Sequence, residues 1–476
     1  MSIAPSKVMV PAALRTIEER LCSLRLKRKR AHQKGLHVRS PGVFVVGEEL
    51  DTEPPAEILL SSSDRARHLY VLGSTGCGKT NLNLRLIASD IEAGKTLVVI
   101  DLRGDLVDRV IAMLVATGRD PAGRVCLIDL RDESLVTGFN PLAGEGGSHS
   151  RALHVLDVLR RSADSWGVQL DDTLRNCLIA LTEVGCTLAD LPKLLSDGSF
   201  RERVHSRVQD PYASSFLSLY SHLTPERQTA LSLPVLNKVT PFLCVPVVRK
   251  TLSAKSGIDL RKLLDTPGQI VLVSLAVDRL HGAAHLLGGL FVSCLQNAVM
   301  SRTEVPEGLR NPVSLYIDEF ENFASQSFES IVAEGRRFKL SLTLSHQNLS
   351  QLPSGLRQVL RNNVATQLYF QTGSTDASDL AKEAVGLGKR EDVKRLLMSQ
   401  KVGEALLVRR GTKPVRVKTL LYNEPEVSRK KLTQFKESVL ATCTSAEDSH
   451  ATSVQCDEES SHFRHDRLPA TARREK

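Results

Sequence analysis

The chain has 476 residues, 41% hydrophobic and 25% charged, a balance typical of soluble globular proteins and a length that excludes a single compact core. Aromatic residues make up only 4%, so aliphatic side chains must build the interior, and nine scattered cysteines without a CxxC pair or a Cys/His cluster argue against a disulfide scaffold or a structural zinc site. The net charge of +9 is concentrated: between Arg15 and Arg39 lie nine Lys or Arg (Arg15, Arg20, Arg25, Lys27, Arg28, Lys29, Arg30, Lys34, Arg39) against Glu18 and Glu19, which suggests a polyanionic partner or an exposed, solvated helix.

In chain order, residues 1–40 read as this basic arm, with no apolar stretch of signal-peptide type. Val43–Val46 is a short β segment, and Pro54-Pro55 marks a loop. Leu69–Leu72 is a continuous apolar run that predicts a buried strand entering a glycine-rich turn. Helical periodicity follows over Leu82–Ile91, then a strand at Leu97–Ile100, a helix over Leu106–Leu114 and a strand at Val125–Asp129. Alternation of this kind predicts an α/β fold with a mostly parallel sheet covered on both faces.

After Pro141 the pattern changes. Residues 148–255 have helical spacing with capping-like starts at Asp171-Asp172 and Thr224-Pro225, and are read as a helical insertion. Strands resume at Gln269–Leu275, Val313–Ile317, Ser341–Leu344 and Thr366–Phe370, with a helix over about 281–300. The apolar window from Ile270 to Leu295 is broken by Asp278, Arg279 and His285, and is expected to be too short and too charged to span a bilayer. The predicted division is a basic arm (1–40), a first core half (41–147), the insertion (148–255), a second core half (256–424) and a disordered tail (425–476) rich in Ser, Thr, Glu, Asp, His and Arg. A soluble, cytoplasmic protein with reduced thiols is expected.

The strongest motif is Gly73-Ser74-Thr75-Gly76-Cys77-Gly78-Lys79-Thr80, which fits G-x-x-x-x-G-K-[ST] between a strand and a helix. Its glycines let backbone N–H groups turn inward as an anion nest, and the following helix N-terminus adds a favourable dipole. Lys79 is expected to reach the β- and γ-phosphates of ATP and the Thr80 hydroxyl to ligate Mg2+, with Asn81 completing the phosphate-binding run. Cys77 sits at the loop tip, where its thiol is expected to be incidental but open to alkylation. The strand Val313–Ile317 ends in Asp318-Glu319, expected to hold the metal (Asp318) and to polarise the attacking water (Glu319). An acid pair of this kind fits a water-attacking ATPase, and no guanine-reading Asn-Lys-x-Asp is present. Gln347, at the end of the next strand, is placed to sense the γ-phosphate or orient water; the plain alternative is a loop amide bonded to backbone. Arg336 and Arg337 are candidates for an arginine acting on a neighbouring subunit, with Arg249 and Arg361 behind them.

Together these stretches resemble the ATPase domain of conjugative type IV secretion coupling proteins (TraG/TraD-like), within the HerA–FtsK class of P-loop ATPases. The resemblance covers about residues 65–422. It rests on Gly73–Thr80, Val98–Asp105, Gly138-Phe-Asn-Pro-Leu142, Leu315–Phe320 and Ala333–Leu352; the Phe-Asn-Pro-Leu run and the last stretch are its more specific parts. It implies a RecA-like core, an ATP- and Mg2+-dependent homo-hexameric ring, and DNA moved through a central channel, in conjugation with a relaxase and a secretion channel as partners. Three departures stand out. The chain has no N-terminal transmembrane helices, so any membrane contact is expected to be peripheral, at the inner membrane through partners; Asp101-Leu-Arg-Gly104 stands where the family often has Asp-Pro-Lys-Gly; and Gln371 stands where relatives often place an arginine. Competing expectations are a motor for protein cargo and a regulatory nucleotide-binding switch, the latter disfavoured by Glu319.

Overall fold

A computed structural model describes residues 43–118, 123–134, 136–255, 257–323, 326–384 and 387–448. The basic arm and the last residues of the expected tail lie outside the described residues.

Eleven strands form one sheet: β1 (Val43–Glu49), β2 (Glu57–Ser61), β3 (Leu69–Leu72), β4 (Thr96–Asp101), β5 (Val125–Asp129), β6 (Ile270–Ser274), β7 (Val313–Asp318), β8 (Leu340–His346), β9 (Thr366–Tyr369), β10 (Glu404–Arg409) and β11 (Val415–Thr419). Their order across the sheet is β2-β1-β11-β10-β9-β3-β8-β7-β4-β6-β5. The block from β9 to β5 is parallel, whereas β10, β11, β1 and β2 pair antiparallel. The central strands are apolar on both faces because both faces are covered. In β4, Val98 and Ile100 join the core on one side while Leu97 and Val99 join the core on the other, the period-two alternation of a strand.

The helices Lys79–Glu92 and Asp105–Ala116 cover one face. The segment from Ser148 to Leu252 is helical throughout its regular structure and packs on the other side together with Gly282–Met300. Asp171-Asp172 is not a helix start: that helix begins at Val168 behind Gly167, so both acids fall within it. Contrary to the expectation from sequence, Gly282–Glu304 is long and apolar enough to cross a bilayer, but about two thirds of its most apolar stretch is buried within the protein, where it packs on the Ser148–Arg161 helix.

The expected disordered tail also needs correction. Arg429–Asp448 is a helix that buries Phe435 and Val439 against β5 and the Asp105–Ala116 helix. Leu432, Phe435 and Val439 recur at helical spacing, a short apolar stripe hidden in a polar composition. Lys436 pins it with Nζ 3.0 Å from both Asp108 Oδ1 and Asp129 Oδ2, beside Arg131, which bridges the same two acids.

A buried polar knot aligns the layers. Arg65 donates to both carboxylate oxygens of Asp90 at 2.6 Å and to the Tyr316 hydroxyl at 2.6 Å, and Tyr316 donates in turn to Asp90 Oδ2 at 2.6 Å. Asp90 sits near the end of the Lys79–Glu92 helix and Tyr316 within β7. The knot therefore fixes the helix that begins with Lys79 to the strand that ends with Asp318.

Candidate active site

The turn after β3 is held from three directions. Gly73 N–H bonds the His346 carbonyl at the end of β8 (3.3 Å), Ser74 N–H bonds the Gln371 carbonyl beyond β9 (2.8 Å), and the Cys77 carbonyl accepts from Gly403 N–H ahead of β10 (2.9 Å). Gly76 (φ 79°) and Gly78 (φ 116°) take left-handed conformations that L side chains rarely adopt. A Cβ at Gly78 would also press on Gly403 at 3.3 Å. The N–H groups of Gly76, Gly78 and Thr80 find no acceptor among the described residues, so the concavity presents donors at a helix N-terminus. Lys79 is buried, with Nζ donating to the carbonyls of Gly73 (2.6 Å) and Ser74 (3.0 Å).

Beyond β7 and β8 the expected acids and amide converge on this turn. Gln347 Nε2 donates to Glu319 Oε1 at 2.9 Å, and Thr75 Oγ1 donates to Gln347 Oε1 at 3.1 Å. Thr75, Gln347 and Glu319 thus form one relay from the phosphate loop to the expected base. Glu319 itself has φ +54°, uncommon for a non-glycine residue and the kind of local strain found at functional sites. The other polar residues at the end of β8 turn away: Ser345 accepts from Asn83 Nδ2 (2.9 Å), and buried His346 bonds Tyr70. Among Ser345, His346 and Gln347, only the last faces the loop.

Carboxyl groups crowd the site. Burial pushes the Asp318 carboxyl up to about 6; neighbouring Asp101 and Glu319 act in the same direction, against Lys79. Glu321 is pushed up to about 7, by burial and then by Glu319 and Asp318. One lysine facing several carboxylates matches a site meant to share a divalent cation with phosphates. Among the described residues no group of three or more His, Cys, Asp or Glu could hold a metal alone.

Two neighbours escaped the sequence reading of the site. Asp101, at the end of β4, accepts from Arg103, Leu106 and Val107 N–H and so caps the next helix beside Asp318. Arg103 lies with Nε 3.9 Å from Glu319 Oε1 and is half-exposed. The Asn81 side chain holds the segment after β11: Nδ2 donates to the Leu420 carbonyl (2.8 Å) and Oδ1 accepts from Tyr422 N–H (2.7 Å). Cys77 is buried and burial raises its thiol pKa, which contradicts the expected openness to alkylation. The four candidate arginines do not reach this site. Arg361 pairs with Glu383 at 2.5 Å and Arg249 donates to the Leu243 carbonyl. Arg336 and Arg337 lie on a 3-10 turn before β8, at the opposite end of that strand from Gln347.

Comparison with known proteins fits this geometry. Residues 44–136 match the family model of the HerA helicase central domain, and residues 312–413 match that of the TraM recognition site of TraD and TraG. No curated protein sequence matches. Among solved structures, the conjugative coupling protein TrwBΔN70 is 17% identical over 81% of this chain and 90% of its own, with a TM-score of 0.59. TrwB in complex with ADP and Mg2+ is 19% identical over 83% and 92%, with a TM-score of 0.57. VirB4 of Thermoanaerobacter pseudethanolicus is 14% identical over 84% and 99%, with a TM-score of 0.52. The chain therefore has the P-loop fold of the conjugative coupling protein TrwB and of VirB4, with a HerA-type first half of its core and a TraG/TraD-type segment in the second, and it resembles the coupling proteins of conjugation.

Proposed function

We propose that the chain is an ATP-hydrolysing DNA motor of the coupling-protein kind, working as a ring of identical subunits in conjugative transfer or related DNA processing. The observation that carries the hydrolysis is the relay Thr75–Gln347–Glu319, which wires a candidate base to the phosphate loop. A pure nucleotide-binding switch has no need of a base held in this way. DNA as the cargo, with a relaxase and a secretion channel as partners, is supported by the TraG/TraD-type segment and by the positive charge of the chain. A cytoplasmic position, peripheral to the inner membrane through those partners, follows from the same reading.

In this mechanism the loop N–H groups and Lys79 Nζ bind and orient the phosphates, with Lys79 exchanging its two carbonyl acceptors for phosphate oxygens. Thr80 and Asp318 would hold magnesium, which when bound would supply positive charge to offset the phosphates and the crowded carboxylates. Gln347 orients Glu319 through Oε1, leaving Oε2 to accept a proton from the attacking water. Thr75 tells this pair the state of the loop. Because no candidate arginine reaches the site in its own subunit, Arg336 or Arg337 would complete the site of a neighbour; Arg249 and Arg361 are committed elsewhere.

The test is turnover of the wild type beside Glu319→Gln. Loss of a general base predicts a fall of about 10²–10⁴ in kcat with ATP binding retained. Equal rates would remove Glu319 from the mechanism.

A further inference from the structure

The polar line that begins at the phosphate loop does not stop at Glu319. Strands β3, β8, β7, β4 and β6 are consecutive neighbours in the sheet and run parallel, so the residues that follow them emerge along one edge in that order. Each strand end contributes one polar side chain: Thr75 after β3, Gln347 after β8, Glu319 after β7, Arg103 after β4 and Asp278 after β6. The first two contacts along this line are hydrogen bonds, of 3.1 Å and 2.9 Å. The last two are longer. Arg103 Nε stands 3.9 Å from Glu319 Oε1, and Arg103 Nη1 stands 4.0 Å from Asp278 Oδ1. Among the described residues the Arg103 guanidinium makes no hydrogen bond, so a rigid fork of donors is suspended between two carboxylates.

The backbone holds both ends of this suspension. Arg103 N–H donates to Asp101 Oδ1 at 3.0 Å, which fixes the turn that carries its side chain. Val277 N–H donates to the Leu102 carbonyl at 2.8 Å and Leu275 N–H to the Asp101 carbonyl at 3.0 Å, so the turn carrying Asp278 is stitched to the turn carrying Arg103. Asp278 sits in a short helix, Val277–Leu280, bracketed by Ala276 (φ 53°) and His281 (φ 44°), backbone conformations that non-glycine residues rarely adopt. Arg279 anchors the same helix by donating from Nη1 to the Arg131 carbonyl at 2.8 Å. No residue of the short helix is buried, and among the described residues Arg103 is the charged partner of Asp278.

Arg103 and Gln347 address the same oxygen of Glu319 from opposite sides. A guanidinium that closed from 3.9 Å to bonding distance would make a charge-assisted bond to Oε1, stronger than the amide's, and draw the carboxylate towards β4 and away from the phosphate loop. We propose that Asp278 prevents this closure: Arg103 is a positioning residue for Glu319, and Asp278 is the counter-charge that holds the guanidinium back and leaves the carboxylate to Gln347. This rests on Glu319 being the base of the proposed hydrolysis.

The test is steady-state ATP hydrolysis by the full chain with Mg2+, for wild type, Asp278→Asn, Asp278→Glu, Arg103→Gln and the double variant Asp278→Asn/Arg103→Gln, with Glu319→Gln as the reference for loss of the base. Both positions are exposed, and an unchanged melting temperature confirms that each variant folds. Asp278→Asn is expected to lower kcat roughly three- to fivefold, the effect of one exposed ion pair, with KM unchanged. Asp278→Glu restores the rate because it returns the charge, and Asp278→Asn has no further effect once Arg103 is replaced by Gln. A kcat for Asp278→Asn within about 1.5-fold of wild type overturns the proposal, as does a rise in KM in place of the fall in kcat. The same loss in the Arg103→Gln background overturns it too, and so does failure of Asp278→Glu to restore the rate. Arg103→Gln as slow as Glu319→Gln would make Arg103 a catalytic residue and equally overturn it. Wild type no faster than Glu319→Gln removes the base and this inference together, whereas a slow Glu319→Gln beside an unaffected Asp278→Asn removes the inference alone.

Discussion

Replacing Gln347 by alanine tests the relay that links the phosphate loop to Glu319. The substitution removes the 2.9 Å bond from Nε2 to Glu319 Oε1 and the acceptor of the Thr75 hydroxyl. Both lost contacts lie at the loop edge, so the fold has little to lose. A hydrogen bond to a charged group contributes about 1.5–3 kcal/mol, which corresponds to roughly 10- to 150-fold in rate if it acts in the transition state. The nearest remaining cation is Arg103, 3.9 Å from the same oxygen, and it would draw the carboxylate off its line. Steady-state ATP hydrolysis should therefore show kcat falling about 10- to 150-fold, while nucleotide affinity, set by Lys79 and the loop, stays within about threefold. Gln347→Glu should do no better, because it keeps the length but places a second negative charge against Glu319. A kcat within about threefold of wild type would refute the relay. So would a loss of affinity as large as the loss of rate, since that would make Gln347 a binding residue.

Two further outcomes follow from the buried polar groups. Asp90→Asn leaves the Arg65 guanidinium buried without its counter-charge, and breaking such a pair costs about 3–5 kcal/mol; chemical denaturation should show a lower midpoint, and an unchanged midpoint would dismiss the knot as a stabilising element. His68 is held neutral, with burial and then Arg336 lowering its pKa from the ordinary 6.5 to about 4, while its Nδ1 accepts from Leu342 N–H at 3.1 Å. The unfolded chain then binds a proton between those values that the folded chain refuses. The contribution is complete well above pH 6.5 and is lost as pH falls through 6.5 towards 4, with about 2 kcal/mol gone by pH 5. Asparagine tolerates the left-handed backbone at this position (φ 67°), so His68→Asn should flatten the dependence of stability on pH between 7 and 5 by that amount; an identical slope would contradict the assignment.

The phosphate loop and the acid pair were legible because they are local: one strand, one turn and one helix hold Gly73–Thr80, and Asp318-Glu319 simply ends a strand. The parallel half of the sheet was legible for the same reason, since strands covered on both faces read as unbroken apolar runs such as Leu69–Leu72 and Leu97–Ile100. What the sequence hid is non-local or edge-like. Strands β10 and β11 were missed because Glu404–Arg409 and Val415–Thr419 carry charge on their less buried positions, yet they place Gly403 on the loop and Leu420 under Asn81. The Arg429–Asp448 helix was missed because three apolar residues in a polar stretch suffice once Lys436 is paired with Asp108 and Asp129. The inward turn of Ser345 and His346 depends on Asn83 and Tyr70, which no reading of β8 alone could supply. The burial of Cys77 likewise depends on the packing of the loop against neighbouring strands.

The central claim is that hydrolysis at this site is coupled to DNA. ATP turnover by the full chain, measured with and without DNA across a salt series, tests it most directly. Coupling predicts a rate that rises on adding DNA, with the stimulation fading as salt increases because phosphate contacts release counterions. A turnover indifferent to DNA at every salt concentration would contradict the account and favour a motor for protein cargo.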